Sequence, residues 1–256
     1  MNKIKLILFI FIIFLPFKSF SDNELEKAEQ LFKDMKFSLA MNEYSKIIEK
    51  DPDNAYAYRR KAHCFEQLGR YKKALEEYNK SIAHDNAHFE SYYDKALLQY
   101  NVMHNKAESF ETLSDAIKVG YKNKNDKQPL AEIYFLRSFM YKSRKETEKA
   151  EKDITNALYL VSNPIYFMAR GELRMEIKKF MLARIDFKKA LSLLKKEDEE
   201  SIELRVTLDE YIQICEDQIE ELEKQKKLKI ESQKKALEMK EKEKSINKQE
   251  NKTSSP

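Results

Sequence analysis

Of 256 residues, 36% are charged, three are glycine and five are proline, a balance suited to helices that each keep one wet face and leave few residues for turns. Three glycines exclude a phosphate-cradling loop or a dinucleotide fingerprint. The net charge of +4 falls to +1 once the three lysines of residues 1–21 are set aside, so no general attraction to nucleic acid follows.

Residues 1–21 have the form of an export signal. Lys3 and Lys5 precede an unbroken apolar run, Leu6–Leu15; Pro16 ends it, and Ser19-Phe20-Ser21 puts small residues where a signal peptidase reads. The run is shorter than the roughly 20 apolar residues that span a bilayer. No cysteine stands near its end for lipid attachment. The expectation is cleavage and a periplasmic or secreted product; the alternative is an uncleaved inner-membrane anchor over residues 4–17.

The clearest pattern lies in residues 55–88. Tyr58, Ala62 and Phe65 share one helical face, a turn follows at Gly69-Arg70, and Tyr71, Ala74, Tyr78 and Ile82 form a second stripe. The same spacing occurs 34 residues earlier as Ala28, Leu31, Phe37, Ala40, Tyr44 and Ile48, with Asp51 matching Asp85 and Pro52 closing the unit. A third copy begins at Phe89 with Tyr92 and Ala96. Its second helix, carrying Ser109, Leu113, Ala116 and Ile117, fits after a one-residue shift, and Gln99 replaces Phe65.

The polar stretch Gly120–Pro129 reads as an exposed loop. Residues 131–163 supply a fourth copy through Tyr134, Ser138, Tyr141, Ala150, Ile154, Ala157 and Leu158. A fifth starts at Pro164, 33 residues on, with Phe167, Gly171, Ala183, Phe187, Ala190 and Leu191. Glycine inside a helix costs about 1 kcal/mol relative to alanine, so Gly171 needs a reason. After Leu194 the turn signals stop. Leu208, Ile212, Cys215, Ile219 and Leu222 then form a stripe suited to a helix that covers the end of a stack. From Glu223 onward there are eleven lysines against six glutamates, and the stripe thins to Leu228, Ile230 and Leu237. A partly helical or disordered tail is expected there, and without a sustained heptad a coiled-coil dimer is only weakly signalled.

Helix–turn–helix units at this fixed period resemble the tetratricopeptide repeat family. Antiparallel helices approach closely where small side chains meet, here Ala62 and Ala74. One hairpin cannot bury its own apolar face, so copies stack. The resemblance covers about residues 22–197. It implies an all-α, right-handed α-solenoid of about five hairpins: 22–54, 55–88, 89–120, 131–163 and 164–197. A capping helix over 198–222 and a charged tail over 223–256 complete the chain. The family commonly places glycine at the position of Gly171 because the partner helix crosses there.

In such proteins the first helix of each repeat lines a concave groove that grips peptide segments. Carrying that register over places Arg59, His63, Tyr93, Tyr100, Phe135, Phe139 and Met168 in the groove. One subgroup clamps C-terminal carboxylates with Lys and Asn. The matching first-repeat positions here are Leu25 and Glu29. The second repeat offers Arg59 and His63, but the next lacks the asparagine, so that clamp is disfavoured.

Among His63, His84, His88 and His104, the spacing of His84 and His88 would let them share an ion on one helix. They straddle the Asp85-Asn86 turn with no third ligand, so no metal is expected. Cys64, beside Phe65, reads as a small buried hydrophobe; a bridge to Cys215 is the alternative. No nucleophile–base–acid set is readable, so neither enzymatic activity, a cofactor nor a small-molecule substrate is expected. The expected function is a non-enzymatic scaffold for a protein or peptide segment. The alternative is a membrane-tethered assembly factor that keeps its anchor and uses the lysine-rich tail. Oligomeric state is not legible.

Overall fold

The computed structural model describes residues 20–120, 127–194 and 199–253. Most of the predicted leader, including the anchor of residues 4–17, lies outside them, as do residues 121–126 of the predicted loop. No helix of the described residues is long and apolar enough to cross a membrane. The helices are α1 (Phe20–Lys33), α2 (Phe37–Lys50), α3 (Ala55–Gln67), α4 (Tyr71–His84) and α5 (Phe89–Leu97). A π-helical turn, Leu98–Val102, continues α5, and α6 (Lys106–Val119) follows. Then come α7 (Lys127–Ser143), α8 (Thr147–Leu160), α9 (Pro164–Glu176), α10 (Phe180–Leu193) and α11 (Glu199–Thr253). The described residues contain no strand. Where the sequence suggests loop up to Pro129, Lys127 to Pro129 already form the first turn of α7.

The chain divides after Pro129 into two compact units. In the first, Ala28, Ala40, Tyr44, Ile47, Ala57 and Cys64 pack together, and Ala62, Phe65, Ala74, Tyr78 and Leu98 form the next layer. In the second, Ala131, Ala150, Ile154, Ala157, Tyr166 and Leu173 form one layer, and Ala183, Phe187, Ala190, Leu208, Ile212 and Cys215 the other. These are the small-and-large stripes of the repeats. Tyr71 departs from the pattern: as the first residue of α4 it stays 39% exposed.

Local chemistry sets the helix ends. Asn54, Asn105 and Asn163 each accept a backbone N–H with the side-chain oxygen at a helix start, relieving an unpaired donor. Between the two helices of each repeat one residue takes positive φ: Met35, Gly69, His104, Lys145 and Lys178. Around four of these turns the next amide reaches back five residues, as in Lys36 to Leu31 and Arg70 to Phe65, which satisfies carbonyls left open at the helix end. In the third repeat the reach is six, Asn105 to Gln99, because the π-helical turn holds one extra residue. That insertion explains the one-residue shift in the sequence pattern. Gln99, where an aromatic was expected, is buried but satisfied: its oxygen accepts from Thr112 Oγ1 at 2.8 Å.

α11 caps the second unit. Leu208, Ile212 and Cys215 bury against α10, flanked by Lys188 paired with Glu216 at 2.9 Å. The stripe stops working as core at Leu222, which is 48% exposed, and side chains from Glu220 to Lys242 all face solvent. The helix nevertheless runs unbroken to Thr253, through the stretch where the sequence suggested partial helix or disorder.

Candidate partner-binding faces

The first helices of the first unit carry a chain of charges. Glu29 on α1 accepts Nε and Nη2 of Arg60 on α3, both at 2.7 Å, and also the hydroxyls of Tyr44 (2.6 Å) and Tyr56 (3.0 Å). The Arg60 guanidinium lies 4.1 Å over the Phe32 ring. Its Nη1 donates to His63 Nδ1 at 3.0 Å, and His63 Nε2 stands 2.7 Å from Asp94 Oδ2 on α5. Arginine has only donors, so Nδ1 must accept and Nε2–H must donate: this geometry holds the neutral Nε2–H tautomer. Arg59 Nε donates to the same Asp94 oxygen at 2.5 Å. Burial pushes the Asp94 carboxyl upward, but His63 and Arg59 outweigh it and hold the carboxyl below its usual range. Glu29 behaves alike: burial raises it, and Arg60 with the two tyrosines brings it below its usual value. Arg59 and His63, expected in the groove, thus have their hydrogen-bonding groups engaged by α5 and α3.

Tyr93 is half-buried on α5. Tyr100 lies in the π-helical turn with Lys106 Nζ 5.5 Å from its ring centre. Met168 packs into the Phe187 layer of the second unit. His84 stacks on Tyr58 at 5.0 Å and meets Asp53 Oδ1 at 2.9 Å. His88 turns inward to Ser91 Oγ at 2.9 Å, and burial lowers its pKa. Cys64 and Cys215 are both buried and unbridged, and burial pushes the Cys64 thiol up to about 12. A thiol so raised is a poor nucleophile.

Phe135 and Phe139 come together on α7, ring centres 4.8 Å apart at 75°. Phe135 is anchored by Tyr166 of α9 at 4.5 Å, whereas Phe139 is 48% exposed. Beside Phe139 an indentation is lined by Ser138, Lys142, Ala169, Glu172 and Leu173. Lys142 pairs with Glu176 at 2.7 Å. Burial pushes the Glu172 carboxyl above its usual range, Lys142 pulls it down, and Glu176 pushes it further up. The sequence reading missed Glu172. The signal was its position, 33 residues after Phe139, the same step that separates the fourth and fifth repeats.

A second set of polar residues, also missed, joins the two helices within repeats. Lys27 meets Glu43 at 2.9 Å, Lys61 meets Glu77 at 3.7 Å, Arg137 grips Asp153 (2.7 and 2.9 Å) and Arg170 grips Asp186 (3.0 and 2.7 Å). Each base precedes the small residue of its first helix, and each acid precedes the large residue of its second.

Paired antiparallel helices repeated at this period define an α-solenoid repeat protein. The comparisons with known proteins agree. Residues 43–76 match the family model for the tetratricopeptide repeat, so that stretch carries such a repeat. Hsp70-Hsp90 organizing protein 3 of Arabidopsis thaliana is 29% identical over 103 residues, covering 40% of this chain and 18% of that one. Hsp70-Hsp90 organizing protein 1 of Glycine max is 34% identical over 65 residues, 25% of this chain and 11% of that one. The chain therefore spans less than a fifth of the length of these relatives. Among solved structures, Pseudomonas aeruginosa pilF superposes with a TM-score of 0.57 at 17% identity, over 79% of this chain and 91% of that one. MamA superposes at 0.51 and 20% identity, over 64% and 92%. At such identities the likeness shows the fold.

Proposed function

We propose that the chain is a non-enzymatic protein-interaction scaffold, and that the α7–α9 face of the second unit holds an extended or helical segment of another protein. The carrying observation is Phe139: a large aromatic on a first helix, steadied by Phe135 and half open to solvent. Rigid aromatic anchors of this kind give contact area with little loss of side-chain freedom. The relatives named for organizing two chaperones support a scaffold role in general. The engaged His63 and the raised Cys64 thiol support a role without catalysis.

The test is panning of a displayed random-peptide library against the immobilised full chain. Phe139→Ala is the informative variant, because Phe135 also packs on Tyr166 and its loss would disturb the core. Peptides enriched on the wild type should bind Phe139→Ala at least tenfold more weakly, about 1.4 kcal/mol. Equal binding by the two proteins would place the binding surface elsewhere.

A further inference from the structure

Resting on that reading, we infer that a cationic side chain of the bound segment, an arginine or lysine, lies across the shallow indentation beside Phe139. Phe139 on α7 and Glu172 on α9 line the same hollow. Glu172 has no hydrogen-bond or ion-pair partner among the described residues, although its neighbours crowd it enough to leave it only partly exposed. Lys142, the nearby cation, is committed to Glu176. One lysine against two glutamates leaves a surplus negative charge at the rim.

An aromatic wall facing an unmatched carboxylate selects for a cation with an apolar stem. The stem and charge lie over the Phe139 ring, and the head reaches Glu172. An anionic side chain laid across the same hollow would meet Glu172 and Glu176, a like-charge penalty that sharpens the choice. On the charged chain of the first unit, by contrast, Glu29 and Asp94 already hold Arg60, Arg59 and His63. The partly buried position also strengthens an ion pair over one made in open water.

The experiment extends the panning, with the selected peptides as probes. Peptides enriched on the full-length wild type should share an Arg or Lys beside an apolar residue. Replacing that cation with citrulline or norleucine should weaken binding to the wild type about tenfold. The same replacement should change binding to Glu172→Gln by less than twofold. Glu172→Lys should turn the enriched residue from Arg or Lys to Asp or Glu. Glu172 has no hydrogen-bond or ion-pair partner to lose, so Glu172→Gln should retain the wild-type melting temperature. Peptides that need Phe139 but show no cation preference, or that lose equally on wild type and Glu172→Gln, would overturn this inference and leave the scaffold reading standing. Failure of any peptide to bind, or binding indifferent to Phe139, would overturn both.

Discussion

Gly171 shows how one residue's size is set by its partner. A Cβ built there would lie 2.5, 2.8 and 2.9 Å from three ring carbons of Phe187, which is fully buried and packed against Tyr211 at 5.1 Å. Equivalent positions pair alanine with tyrosine at Ala28/Tyr44 and Ala62/Tyr78, and serine with the smaller isoleucine at Ser138/Ile154. Helix propensity alone favours alanine at 171 by about 1 kcal/mol. The overlap should exceed that, since forcing atoms into a filled core costs about 1–3 kcal/mol and this ring has little room to withdraw. Gly171→Ala is therefore expected to lower the urea midpoint despite its better propensity. Adding Phe187→Leu should restore part of the loss, a coupling that independent sites would not show. A midpoint that rises in the single variant would refute the close-approach argument.

At the scale of elements, the turns within repeats share one geometry but not one residue. Gly69 takes its positive φ freely, whereas Met35, Lys145 and Lys178 adopt φ of 58°, 61° and 60° with a Cβ in place. A left-handed non-glycine residue costs about 1–2 kcal/mol, of which glycine's extra freedom in the unfolded chain returns roughly half. Met35, Lys145 and Lys178 are all exposed, so little packing is lost on replacement. Substituting each by glycine should stabilise by about 0.5–1 kcal/mol, read as a higher thermal midpoint; unchanged or lower midpoints would show that the turns are not strained. These turns also mark what was legible. The repeat period, the alanine contacts and the capping stripe could be read from the chain because burial dictates residue type at fixed spacing. The positive-φ positions other than Gly69 could not, since methionine, histidine and lysine carry no turn signal. The π-helical turn was visible only as a one-residue misfit. Arg59 and His63 were the hardest: the register places a residue on a helix face, but its polar partner comes from another repeat, as Asp94 does for Arg59 35 positions away.

The whole molecule combines two kinds of ionic tie. Within repeats, a base on the first helix meets a buried acid on the second; between repeats, Glu29–Arg60 and Arg59–Asp94 link successive first helices, and Glu151 holds both Arg174 and Lys179. Stacked repeats depend on neighbour interfaces, so ties between repeats bear on cooperativity as well as on local stability. Glu29, Asp94 and Glu151 all sit below their ordinary values in the folded chain, against ordinary values of 4.5, 3.8 and 4.5. A carboxyl with a depressed folded pKa binds its proton more readily when unfolded. Its stabilising contribution is thus complete above the unfolded value and disappears as pH falls through the folded one. The fold should be insensitive to these three groups near neutrality and weaken progressively below about pH 4.5. Asp94→Asn separates this from general acid effects. It removes the charge that His63 and Arg59 share, so at pH 7 it should cost about 1.5–3 kcal/mol, the range for hydrogen bonds to a charged group. Because the protonated wild type already lacks that charge, the gap between the two proteins should close as pH drops below 4. Urea midpoints measured for both from pH 7 to pH 3 give the comparison. A gap that stays constant over that range would mean that Asp94 contributes through shape and not through its charge, and that the ionic chain between first helices is not what joins the repeats.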